Sequence, residues 1–166
     1  MQNRFYDIPF IASYELMPWE SAKRGLPTDS GLFELAQRLK FRSDIAGGVL
    51  ILEAGFVSDL ASIPSVLEWA TMNTDDQRIS GGAWFHDMLY AQGGHIQTYN
   101  EDETTKAVVQ LTRSQCDSIL CDEAMPDLGA SWLDRWKVKR GLWIGGGFSF
   151  QKPASSPATE SDKTAA

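Results

Sequence analysis

The stretch DIAGGVLILEAGFVSDLASIP, residues 44–64, decides the fold class. It opens with a turn, Asp44 to Gly48, and passes into Val49-Leu50-Ile51-Leu52, a dense apolar run that ends at Gly55. Short apolar runs bounded by turn residues read as strands. Upstream, Phe33, Leu35, Leu39 and Phe41 give this run a partner, as a strand or the start of a short helix. The expectation is a β-hairpin whose second strand continues into Ser58-Asp59-Leu60-Ala61-Ser62-Ile63-Pro64. At Ser62 the character changes. A serine two residues before Pro64, followed by Val66, Leu67 and Trp69, has the chemistry of a capped helix start.

Toward the N-terminus, Phe5 to Tyr14 is aromatic and β-branched, and Pro9 implies an edge position. Leu26 to Gly31 is turn chemistry. Toward the C-terminus, Ile79 to Tyr90 predicts a helix with Ile79, Ala83, His86 and Tyr90 on one face, stopped by Gly93-Gly94. Residues 93–102 read as a polar loop, and Glu103 to Leu111 as one more short element. Arg113 to Met125 is a second helix with the stripe Cys116, Ile119, Leu120 and Ala124, ended by Pro126-Asp127-Leu128-Gly129. Ser131 caps a third, on which Trp132, Trp136 and Trp143 recur. The whole predicts one α+β domain over residues 1–150: a small N-terminal antiparallel sheet packed against three or four helices. The Pro- and Ser-rich segment 151–166 is expected to be a disordered tail.

The chain of 166 residues is 43% hydrophobic and contains six Trp and eight Phe, enough for a substantial core. A net charge of −7 argues against a nucleic-acid-binding surface, since phosphate contacts need clustered Lys and Arg. The basic run Arg135 to Arg140 reads as a solvated helix face whose aliphatic stems cover the tryptophans. Cys116 and Cys121 lie five apart, outside any metal or redox spacing, and read as core thiols of a reducing compartment. No stretch has the ~20 apolar residues of a membrane span, and Asp7, Pro9 and Glu15 interrupt any signal-like start, so a soluble, cytoplasmic protein is expected.

Two polar clusters sit inside apolar sequence: Ser58-Asp59 with Ser62, and His86-Asp87. Burying such groups costs several kcal/mol unless each is hydrogen-bonded or ligated. With Asp117 on the later helix, Asp59, His86 and Asp87 are therefore candidates for one shared site. Carboxylates and an imidazole can act as general acid and base, and Asp59, His86 and Asp87 are the candidate ligands for a divalent ion such as zinc or manganese. On a helix His86 and Asp87 point about 100° apart, which makes joint ligation demanding. The non-enzymatic reading makes the same residues a buried hydrogen-bond network that fixes helix packing.

Other chemistries fit less well. Metal phosphohydrolases with a His-Asp dyad need a further upstream histidine, whereas the second of the two histidines here, His95, is downstream. Ser62 with His86 and Asp117 lacks the glycine-flanked elbow of a nucleophilic serine. Cys116 and Cys121 lie on a core stripe. Glu53, Asp59, Asp87 and Asp117 supply acidic pairs for glycoside cleavage, a reading that the carboxyl separation decides.

The blocks Ser58 to Pro64 and His86-Asp87-Met88-Leu89-Tyr90, with Arg113-x-x-x-Asp117, Met125 and the aromatic segment Trp132 to Gly147, resemble a family of uncharacterised small proteins common in tailed phages and prophages. The resemblance covers roughly residues 45–147. Ser58 stands where threonine is usual, and the acidic link 91–112 is longer than the family's. The resemblance implies a compact α+β fold and a phage-encoded protein of the host cytoplasm or the virion. It carries over no reaction. The expectations are thus a small hydrolase-like protein with a metal-assisted His/Asp site, or a virion, tail-associated or host-binding protein.

Overall fold

Alternating burial along Leu39 to Ser43 marks a strand with one face on a core: Leu39, Phe41 and Ser43 are buried, while Lys40 and Arg42 lean to solvent. The computed structural model, which describes residues 4–6, 13–28, 31–58, 77–145 and 150, pairs this strand (β4) with β5, Gly48–Leu52, through the turn at 44–47. Phe41 lies opposite Leu50, and Leu39 opposite Leu52. The predicted hairpin is present, but its second strand does not continue into the first signature. The chain turns at 54–55, and a separate two-residue strand, β6 (Val57–Ser58), joins a different sheet.

Two antiparallel sheets result. The larger has the order β1-β4-β5-β7-β8, with β1 (Phe5–Tyr6) at one edge. The smaller is β2 (Ser13–Leu16), β3 (Leu32–Leu35) and β6, with the short helix α1 (Pro18–Lys23) between its first two strands. The larger sheet is not confined to the N-terminal part. Residues 93–102, expected to be a loop, hold β7 (His95–Tyr99), which pairs with β8 (Thr105–Gln110). Only Ile96 and Thr98 are buried along β7, so the period-two signal rests on two residues, one of them polar. A half-solvated antiparallel hairpin needs no more.

Helix α2, Gln77–Ala91, lies at the centre. It was expected to bury one face, yet every residue from Gly81 to Tyr90 is buried. Phe85 meets the larger sheet through Phe41 and Phe5, with ring centroids 5.5 and 6.1 Å away. Trp84 meets Phe56 edge-on at 6.2 Å. On another side the small residue Gly82 admits the next helical segment: a Cβ there would stand 2.6 Å from Leu120 Cδ1. The helix ends in a Schellman motif, with Gly94 N–H bonded to Leu89 C=O and Gly93 N–H to Tyr90 C=O.

The predicted second helix is present, but wound in three parts. α3 (Arg113–Ser118) starts at a Thr112–Gln115 capping box, a π-helical segment covers Ile119–Ala124, and α4 (Met125–Asp127) follows. The wider π turn buries Cys121 and Glu123 along with the expected Ile119, Leu120 and Ala124. α5, Trp132–Gly145, starts at Ser131, whose hydroxyl and Asp134 form a reciprocal cap. Val138 and Leu142 of α5 pack on Leu120, Cys121 and Met125. The tryptophans do not serve the core as expected: Trp84 is buried, but Trp19, Trp132, Trp136 and Trp143 are exposed. Pro9, Trp69, the helix start at Ser62 and the tail 151–166 lie outside the described residues. Among the described residues no helix is long and apolar enough to cross a membrane.

Candidate functional site

Three elements bring their polar side chains together. α2 contributes His86, Asp87 and Tyr90, α3 contributes Arg113 and Asp117, and β6 contributes Ser58 at its end. His86 and Tyr90 are four residues apart, as are Arg113 and Asp117, so each pair shares one helix face. The two faces meet. Asp117 Oδ1 accepts from His86 Nε2 at 3.1 Å and also from the Tyr90 hydroxyl. Arg113 Nε donates to the Tyr90 oxygen at 3.3 Å and lies 3.9 Å from Asp117 Oδ2. Its Nη2 donates to the Leu142 carbonyl, tying the cluster to α5. On the other side of the histidine, Asp87 Oδ2 accepts from the Ser58 hydroxyl.

Because a carboxylate only accepts, the His86 proton belongs on Nε2. Nδ1 then faces Asp87 Oδ1 across 3.9 Å, and neither atom has a hydrogen-bond partner among the described residues although both are buried. Burial alone would lower the His86 pKa, but the bond to Asp117 and the proximity of Asp87 outweigh it and hold the pKa above the usual imidazole value. Burial and the hydrogen bond to Asp117 push the Tyr90 phenol well above its ordinary range, so it remains a donor. The His86 ring lies 4.0 Å from that of Tyr90, which is capped edge-on by Phe150 at 5.2 Å.

The structure thus brings His86, Asp87 and Asp117 together, while Asp59 and Ser62 lie outside the described residues. The ~100° divergence expected of adjacent helical residues does not keep His86 Nδ1 and Asp87 Oδ1 from approaching within 3.9 Å. Glu53 takes no part: it is exposed and pairs with Arg38 at 3.1 Å. His95 is exposed on β7. Cys116 and Cys121 are free and buried, with thiol pKa values pushed up to about 12, mainly by burial. A cleft of about 340 Å³ opens elsewhere, near Arg42, Tyr99 and Lys106. Among the described residues no three His, Cys, Asp or Glu side chains gather as a complete ion site.

The sequence marks Ser58 only as part of a polar cluster and Tyr90 only as a member of a helix face, and neither is among the candidate site residues read from it. The four-residue spacing that puts His86 and Tyr90 on one helix face is the signal the sequence offers for Tyr90. A second polar cluster was also missed. Buried Glu123 accepts from Ser43 Oγ (2.6 Å), from Asp44 N (2.9 Å) and Ile45 N (3.2 Å), and from Arg4 Nη1 (3.0 Å). All of its hydrogen-bonding capacity goes to holding the β4–β5 turn and strand β1, a structural task.

Residues 33–140 match the DUF1353 family of proteins of unknown function. The chain belongs to this family. The DUF1353 match runs from β3 into α5, and so takes in Ser58, His86, Asp87, Tyr90, Arg113 and Asp117. No curated protein and no solved structure matches the chain.

Proposed function

We propose that this DUF1353 protein is a small phage- or prophage-encoded hydrolase whose His86–Asp87 pair holds a divalent ion. One observation carries the reading: two buried atoms, His86 Nδ1 and Asp87 Oδ1, face each other at 3.9 Å with no hydrogen-bond partner among the described residues. Two such atoms repel unless a metal ion or a proton lies between them. Zinc–nitrogen and zinc–oxygen bonds of about 2.0–2.2 Å span a gap of that size. The far atom of each ligand is already held: Asp117 fixes the imidazole through Nε2, and Ser58 fixes the Asp87 carboxylate through Oδ2. Such outer partners orient metal ligands and set the histidine tautomer. Asp59, the residue after Ser58 in the chain, is the proposed further ligand. A bound zinc or manganese ion would lower the pKa of its water toward ~7 and so supply a nucleophile for hydrolysis. In a phage setting the substrate classes to screen are cell-wall material and small nucleotides.

The test is metal content and activity of the purified full chain, before and after chelation and reloading with zinc or manganese. Wild type should bind about one ion per chain, and His86→Ala and Asp87→Asn should lose it while keeping the far-UV spectrum. Wild type that is folded but binds neither metal overturns the proposal.

A second reading is favoured by the complete burial of the His86 side chain and its raised pKa. An imidazolium proton on Nδ1 would then take the metal's place between His86 and Asp87. The cluster would be a packing device in a virion, tail-associated or host-binding protein. A metal-free wild type that is strongly destabilised by His86→Ala supports that reading.

A further inference from the structure

The outer face of α5 is more apolar than a solvent face and more basic than the rest of the chain. Trp132 is 70% exposed, Trp136 51% and Trp143 75%. At about 100° per residue these three fall within an arc of roughly 40°. Leu133 and Ile144 extend the same arc and are also exposed, at 43% and 64%. These side chains are not needed to seat the helix, because the opposite face already does so through Val138, Leu142 and the Arg113 bond to the Leu142 carbonyl.

Charge is the second, independent observation. α5 carries Arg135, Lys137, Lys139 and Arg140 against the single acid Asp134, on a chain whose net charge is −7. By the same count Lys139 and Lys137 border the arc and Arg140 lies within it. The Arg140 guanidinium lies 5.2 Å from the centre of the Trp136 ring, and Lys139 sits at the edge of the arc, where it reaches Asp122 at 2.7 Å.

We propose that this face of α5 rests on an anionic lipid surface. Indole rings have an apolar body and one polar N–H, the combination that concentrates at the headgroup boundary. An apolar arc with basic borders is the pattern of a helix lying in the plane of a membrane, and the Lys and Arg select for anionic headgroups. A helix of 14 residues with five charges lies on a bilayer and does not cross it. A second copy of the chain is a poorer occupant. Self-complementary pairing sets like residues near one another across the twofold axis, so the basic borders of the two helices would repel. None of this depends on the chemistry at His86.

The test uses the full chain and vesicles of equimolar phosphatidylcholine and phosphatidylglycerol, followed by co-flotation and by tryptophan emission. Binding should appear with these vesicles, weaken with added salt, and be absent on pure phosphatidylcholine. Replacing Trp132, Trp136 and Trp143 together with Ser should weaken binding at least about tenfold, with far-UV spectrum and Tm retained because all three are exposed. Lys137→Glu with Arg140→Glu should abolish the preference for anionic vesicles. No binding at low salt, or binding unaffected by the serine variant, overturns the proposal. So does a stable dimer that the serine variant dissociates, which would assign the face to a second copy.

Discussion

Asp117 Oδ1 serves two donors at once, His86 and Tyr90, and the Tyr90 oxygen in turn serves Arg113. Tyr90→Phe removes the middle of that relay while keeping the ring. Asp117 loses a donor and Arg113 an acceptor in a largely buried setting, so a loss of about 1–3 kcal/mol is expected in urea denaturation. Ser58→Ala should weaken metal binding more than stability if Asp87 is a ligand. Bound metal and Tm measured on one preparation separate the two effects. The thiols make a pH prediction. Burial raises both cysteine pKa values to about 12, so the folded state favours the neutral thiol. Their contribution to stability is complete below the unfolded thiol pKa of about 8.5 and is lost as pH rises toward the folded value. Folded protein at mildly alkaline pH should therefore resist alkylation at Cys116 and Cys121, and both should react once urea unfolds it. Rapid labelling of the native state would contradict their burial. At this scale His86, Asp87 and Asp117 were legible because a charged or imidazole group among Leu, Ile and Phe is conspicuous. Tyr90 was not, because a tyrosine in an apolar helix reads as a core aromatic, and its hydroxyl partner comes from a different helix.

Between α2 and β7 the chain turns through Gly93 and Gly94, and the second glycine has the harder task. Its φ is +76°, and a Cβ on it would stand 2.1 Å from the Leu111 carbonyl oxygen. Gly25 has a similar φ of +71° but nothing within 4 Å. Gly25→Ala should thus cost only the backbone strain, about 1–2 kcal/mol, whereas Gly94→Ala adds a clash with backbone and should cost about 3 kcal/mol or more. Parallel thermal melts of the two variants check the difference. The helices were legible from the stripe Cys116, Ile119, Leu120 and Ala124 and from caps and stops such as Ser131 and the paired glycines, because these signals are local. The β7–β8 hairpin was not, because its inward face at β7 is only Ile96 and Thr98 and its outward face is as polar as a loop. Nor was the burial of α2 on every side, since a helix wrapped by sheet and helix has no amphipathic stripe to read.

Across the whole molecule, Glu123 joins parts of the chain that are far apart in sequence: Arg4 at the N-terminal strand, the turn after β4, and the π-helical segment. Glu123→Gln keeps the shape but removes the charge from a buried acceptor of four hydrogen bonds. A loss of about 2–4 kcal/mol is expected, on the order of 10 °C in Tm for a chain of this size. Calorimetry measures it, and a change under 1 °C would contradict the staple described above. No local pattern announces this cluster, because its partners are backbone N–H groups 78 and 79 residues away. The π-helical segment between Asp117 and Glu123 has a further consequence, one of phase. A π turn holds one residue more than an α turn, so the segment takes up an extra residue with little change in the phase of the helix that follows. Asp117 is set by the first part and Glu123 by the second. Wound as plain α-helix with every residue kept, the segment would carry Glu123 most of ~100° further around the axis and away from Ser43 and Asp44, whereas excising the exposed Asp122 would cancel that turn. The wider turn absorbs the extra residue, so one continuous rod keeps the histidine's carboxylate and the glutamate at the bearings that a rod one residue shorter would give them.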